Sequence, residues 1–91
     1  MRTQKLLDGV AEADSRVLFP SPAAGEVCWV QTSFSDGGEG IVTVQGRLTS
    51  GAPWVDLETI EASGLTQVDK MQQMRVSALM TSGTAEVWFG E

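Results

Sequence analysis

The chain has 91 residues, one cysteine, no histidine and no tyrosine, and it carries 12 acidic against 6 basic residues for a net charge of −6. This length accommodates one domain, a lone thiol rules out an intrachain disulfide framework, and these counts exclude serine triads, Cys–His pairs and zinc sites built on histidine or several cysteines. The basic residues Arg2, Lys5, Arg16, Arg47, Lys70 and Arg75 are scattered, so the basic stripe required for nucleic acid is missing and an anionic membrane surface is disfavoured.

Residues 1–8 read as an N-terminal arm or a short first strand anchored by Leu6 and Leu7, without the apolar segment of a secretory leader. Residues 9–91 read as a single β-sandwich domain. Within it, residues 9–15 read as a loop, and Arg16-Val17-Leu18-Phe19 as a short strand stopped by Pro20-Ser21-Pro22. Residues 26–34 form a long strand, followed by a turn over residues 35–40 with Asp36-Gly37 at its centre. Strands then follow over residues 41–48, 54–60, 65–70, 74–79 and 84–89, separated by Ser/Gly/Pro clusters. A helix over residues 68–80 is conceivable, but Val76-Ser77-Ala78-Leu79 alternates and the neighbouring spacing is β throughout. No apolar run approaches the ~20 residues of a membrane-spanning helix.

Period two assigns the faces. Val42, Val44 and Leu48 share one face with Gly46 between them, and Ile41, Thr43, Gln45 and Arg47 share the other. Val55 and Leu57 lie opposite Asp56 and Glu58. Met74, Val76 and Ala78 lie opposite Arg75 and Ser77. Two sheets with one apolar face each make an all-β, antiparallel, jelly-roll-like sandwich of about seven or eight strands without substantial helix. The apolar fraction of 42% suffices for a core, while the charged fraction of 20% is low for a surface that remains solvated alone. On this pattern Val44→Ala and Val76→Ala should each cost about 1–3 kcal/mol, and wild-type-like melting of both would place the faces one register off.

Little in the chain points to reaction chemistry. Cys28 reads as a buried small apolar residue, because no cation lies near it in sequence to activate a thiolate. Asp56, Glu58 and Glu61 are the carboxylates expected on a solvated strand face. Asp36-Gly37-Gly38-Glu39 lacks the alternating ligands of a calcium loop and reads as a hairpin turn. Gly37-Gly38-Glu39-Gly40 lacks the Lys-Ser/Thr of a phosphate loop. The reading is therefore a protein without enzymatic activity, catalytic residues, cofactor or metal. Trp29, Trp54 and Trp88 remain to be explained. Trp54 follows Pro53 and should cap one end of the sandwich, half-buried. Trp88 alternates with Val87: on a regular strand it points outward, which suits a subunit interface or a sugar-stacking platform, whereas a bulge would turn it inward as a core residue.

The order Val42-Thr43-Val44-Gln45-Gly46, Trp54-Val55-Asp56-Leu57, Met74-Arg75-Val76 and Gly83-Thr84-Ala85-Glu86-Val87-Trp88-Phe89 resembles small β-sandwich virion proteins of tailed bacteriophages. The resemblance covers roughly residues 26–91, with an echo at Leu6-Leu7-Asp8-Gly9. It departs where Ser50-Gly51-Ala52-Pro53 replaces the usual Asn- or Asp-Gly turn before the tryptophan. It implies a head decoration (cement) protein, made in the host cytoplasm and located in the virion, or an accessory module of tail or fibre. A decoration protein would bridge subunits of the major capsid protein or another virion protein as a homo-oligomer, with a trimer favoured. The expected interface is Arg2, Lys5, Leu6, Leu7, Glu86 and Trp88, and removal of residues 1–7 is expected to weaken attachment while leaving the sandwich folded. The alternative is a carbohydrate-binding or receptor-recognition module, with Trp54 or Trp88 stacked on a sugar and Asp56 or Glu58 accepting its hydroxyl protons.

Overall fold

The computed structural model describes residues 3–20 and 26–91. Among the described residues there are eight strands and no helix: β1 (Thr3–Val10), β2 (Glu12–Asp14), β3 (Val27–Phe34), β4 (Glu39–Arg47), β5 (Val55–Ile60), β6 (Gly64–Asp69), β7 (Gln73–Ser82) and β8 (Ala85–Gly90). One sheet has the order β1-β8-β3-β6 and the other β2-β7-β4-β5, with every pairing antiparallel. The pairs β1·β8, β2·β7, β3·β6 and β4·β5 nest inside one another, as though the chain were one long hairpin. Pairings β3·β8 and β4·β7 roll that ribbon into two sheets. This is the strand order of a jelly roll.

The inner faces meet in a single core. The first sheet contributes Leu7, Cys28, Val30, Val68, Ala85, Val87 and Phe89, and the second Val42, Val44, Ile60, Met74, Val76 and Ala78. Val44 and Val76 are each 1% exposed and sit directly opposite one another on β4 and β7. Their expected costs should therefore combine non-additively. Leu48 departs from its expected face: it lies beyond the end of β4 and is 66% exposed. Gly46 points inward, and a Cβ there would meet Met71 Cγ at 2.6 Å and Leu57 Cδ1 at 2.9 Å. Val55 and Leu57 also part company. A register shift in β4·β5 between Val44 and Gln45 leaves Leu57 packed against the core and Val55 56% exposed.

Nearly all connections cross between sheets; only β4–β5 joins neighbours within one. The Asp36-Gly37 turn is therefore not a hairpin turn, since it carries the chain from β3 in one sheet to β4 in the other. Its geometry agrees: Gly37 alone has positive φ, 70°, and the Gly38 N–H donates to the Ser35 carbonyl at 2.8 Å. That is the pattern of a type II turn rather than the type I′ turn of tight hairpins. The β7–β8 crossing is stitched to it. The Ser35 N–H donates to the Thr84 carbonyl at 3.0 Å, and the Thr84 N–H donates to Ser35 Oγ at 2.9 Å. Gly83 sits between them with φ 72°, and a Cβ there would collide with Ser35 Oγ and stand 2.8 Å from Gly38 Cα. Gly83→Ala combines left-handed strain with a clash and should lower stability by about 1–3 kcal/mol. Urea denaturation giving an unchanged midpoint would contradict this account of the paired turns.

The N-terminal part departs most from the sequence reading. Of the two readings of the N-terminus the strand holds, running on to Val10 and paired with β8, whereas residues 12–14, expected in a loop, pair with β7 from Glu12↔Leu79 to Asp14↔Ser77. Arg16-Val17-Leu18-Phe19 is not a strand. It holds to β7 only through Leu18, whose N–H donates to the Met74 carbonyl at 2.8 Å while the Met74 N–H donates back at 3.1 Å. Ser15 interrupts the ladder, because its Oγ accepts the Val76 N–H at 2.9 Å.

Candidate functional site

Register places a band of side chains on the outer face of the first sheet. One row crosses all four strands as Lys5, Trp88, Gln31 and Leu65, and the next runs Thr3, Gly90, Trp29 and Gln67. Trp88 and Trp29 alternate with the buried Val87, Phe89, Cys28 and Val30, so strand period alone turns both indoles outward. Gly90, between Thr3 and Trp29, has no side chain, and over it lies a shallow hollow of about 70 Å³ lined by Trp29, Gln31, Leu65 and Trp88 among others. Leu65 is 61% exposed, and Val27, two residues before Trp29, is exposed on the same face.

The rim of this face is charged. Lys5 Nζ lies 2.8 Å from Asp8 Oδ1 and 3.1 Å from Glu86 Oε2, and 5.1 Å from the centre of the Trp88 ring. Hydrogen bonding to Asp8, then to Glu86, raises the Lys5 pKa above that of a free lysine. Of the expected interface residues, Lys5, Glu86 and Trp88 thus come together. Leu7 does not join them. A bulge between Lys5 and Leu7 adds one residue to β1 and reverses the alternation, so that Leu7 opposes Val87 in the core at 5% exposure. Leu6 is half-buried against the same core. Arg2 lies outside the described residues.

Trp54, the residue before β5, lies against the outer face of the other sheet. Its ring centre lies 4.1 Å from Arg47 Cζ and 4.5 Å from Arg75 Cζ, within the range of cation–π contact. Arg75 Nε donates to Gln45 Oε1 at 2.7 Å, Gln45 Nε2 donates to Asp56 Oδ1 at 2.9 Å, and Arg47 Nε donates to Gln73 Oε1 at 2.7 Å. Trp54 and Trp88 therefore lie on different sheets and do not flank a common ligand. Asp56 beside Trp54 is engaged by Gln45. The sequence shows that Arg47 and Arg75 face outward but gives no sign that they meet on Trp54, because strand pairing joins β4 to β7 across the intervening β5 and β6.

Cys28 is fully buried, its Sγ 3.5 Å from the Val68 carbonyl oxygen and 3.8 Å from Met74 Sδ. Burial pushes its pKa up to about 11, outweighing the nearby Lys70 cation. A raised acid pKa means that the folded state keeps its proton longer than the unfolded chain. Stability should thus be unaffected by this thiol below about pH 9 and decline between pH 9 and 11. At pH 8 the native protein should resist iodoacetamide while the urea-unfolded chain is alkylated. Rapid native labelling would show that the core opens at Cys28. No group of three or more His, Cys, Asp or Glu able to hold a metal occurs among the described residues.

No protein-family model matches the chain, and neither a curated protein nor a solved structure matches it.

Proposed function

We propose that the chain is a non-enzymatic structural protein of a tailed-phage virion, a decoration protein that strengthens the head by bridging capsid subunits. The observation that carries this reading is the outer face of the β1-β8-β3-β6 sheet, where Trp29, Trp88, Leu65 and Val27 sit together on rigid strands. A solvated face of an antiparallel sheet is normally polar. An aromatic and aliphatic centre ringed by Lys5, Glu86, Gln31 and Gln67 has the anatomy of a protein interface, with the energy concentrated in buried aromatic anchors. The resemblance of the Val42–Gly46, Trp54–Leu57, Met74–Val76 and Gly83–Phe89 motifs to phage β-sandwich proteins supplies the virion context. Self-association into a closed oligomer, a trimer on an icosahedral lattice, would cover apolar surface that a lone 91-residue domain leaves wet.

The test is addition of the purified protein to capsids lacking it, followed by co-sedimentation and localisation by electron microscopy. Binding should be saturable and lost in Trp88→Ala and Leu65→Asp variants that remain folded. A monomer at high concentration that also fails to bind capsids would overturn the reading. The hollow between Trp29 and Trp88, with the Gln31 amide beside it, favours one second reading, a carbohydrate-binding module of a tail or fibre. Quenching of tryptophan fluorescence by oligosaccharides, abolished in Trp88→Ala and retained in Trp54→Ala, would establish it instead.

A further inference from the structure

The opposite outer face, that of the β2-β7-β4-β5 sheet, carries a feature that the proposed function leaves unused. Two guanidinium groups, of Arg47 and Arg75, lie within 4.5 Å of one ring centre, that of Trp54. Like charges held this close repel, and in an acidic chain a carboxylate is the expected counter-ion. None is supplied. The lysines have theirs: Lys5 pairs with Asp8 and Glu86, and Lys70 with Glu26 and Glu91. Among the described residues neither Arg47 nor Arg75 has a carboxylate oxygen within 4.0 Å. Each instead donates Nε to a glutamine oxygen at 2.7 Å. These bonds and the indole fix the planes of both forks while leaving the terminal nitrogens of each guanidinium available, the arrangement that receives a carboxylate through two parallel hydrogen bonds.

We propose that Arg47, Arg75 and Trp54 form a receptor for an aspartate or glutamate side chain of a partner protein. The site lies on a sheet face and not in a cavity, so it suits a carboxylate borne on another surface better than a small free anion. The net charge of −6 repels polyanions such as nucleic acid or sulfated glycans at long range, whereas a single ion pair at contact distance is little affected by it. This docking face stands independently of the reading given to the Trp29–Trp88 face. Together the two would let one copy engage neighbours on both sides.

The probe is an octapeptide of alanine and serine with one central glutamate and blocked ends, titrated into the full chain and followed by NMR. The expected result is a shift of the Arg47 and Arg75 Nε–H and Trp54 indole N–H resonances, with Trp29 and Trp88 unmoved. Arg47→Gln and Arg75→Gln should each weaken binding tenfold or more, and Arg47→Lys, which keeps the charge but loses the fork, should weaken it by less. The same peptide with glutamine in place of the glutamate should leave the resonances still. Dextran sulfate and duplex DNA are the comparison arms, and tighter binding of either through the same resonances would overturn the protein-partner assignment. Failure of the acidic peptide to move the arginine signals, or equal affinity in a folded Arg47→Gln/Arg75→Gln double variant, would overturn the receptor itself.

Discussion

Met74→Ala should destabilise the protein by about 2–5 kcal/mol. Met74 is 1% exposed and the largest of the fully buried side chains. It projects from β7 in one sheet, and its Sδ meets Cys28 Sγ of the other sheet at 3.8 Å. Truncation thus opens a cavity at the junction of both layers, with its walls fixed by two strand ladders that cannot easily close in. Its backbone is also bonded in both directions to Leu18, which ties residues 15–20 to the sandwich. For a domain of this size the total stability is on the order of 5–15 kcal/mol, so the loss is a large share of it. The melting temperature should fall by roughly 10–30 °C. Met74→Leu, which nearly conserves volume, should cost less than about 1.5 kcal/mol. Paired urea titrations of the two variants provide the check. If alanine and leucine behaved alike, the site would be able to collapse, and Met74 would not be the contact between layers described above.

What the sequence revealed follows from where each strand lies. β4 and β7 are flanked on both sides within their sheet and face the core on one side, so every second residue answers to burial; Val42, Val44, Val76 and Ala78 show this plainly. β2 has no such pattern. Glu12-Ala13-Asp14 has poor β propensity and becomes a strand only because β7 offers it a ladder. The turn at Asp36-Gly37 was legible as a turn, but a local turn signal is the same whether the next strand joins the same sheet or the facing one. The pairing of sheets therefore had to come from contacts distant in sequence. The bulge that turns Leu7 inward leaves no mark beyond Leu6-Leu7 standing side by side, which fits either an arm with two anchors or a strand whose alternation breaks. At the candidate sites, the outward setting of Trp88 followed from its alternation with Val87. The hollow over Gly90 and the meeting of Arg47 and Arg75 on Trp54 depend on register between strands far apart in the chain, which no local pattern encodes.

Deletion of residues 1–7 separates the strand from the arm, and the structure predicts that the sandwich does not survive it intact. The cut removes most of β1, from Thr3 to Leu7, and with it the ladder pairs to Gly90, Phe89, Trp88 and Val87. Loss of the buried Leu7 side chain alone is worth about 2–3 kcal/mol. The hydrogen bonds lost from β8 add to this, because its outer edge would stand open along Val87–Gly90. An unprotected edge beside the outward Trp88 is also a template for strand pairing between molecules. The expected results are a melting temperature lowered by roughly 10 °C or more, on the scaling for a domain of this length, and concentration-dependent association on size-exclusion chromatography. Leu7→Asp in the full-length chain is the companion variant. It keeps the ladder and places a charge in the core, so it should destabilise without creating the open edge and should not promote association. A truncated chain that melts with the full-length protein and stays monodisperse would show that β1 contributes nothing to the fold, and would restore the reading of these residues as an arm free to reach a neighbour.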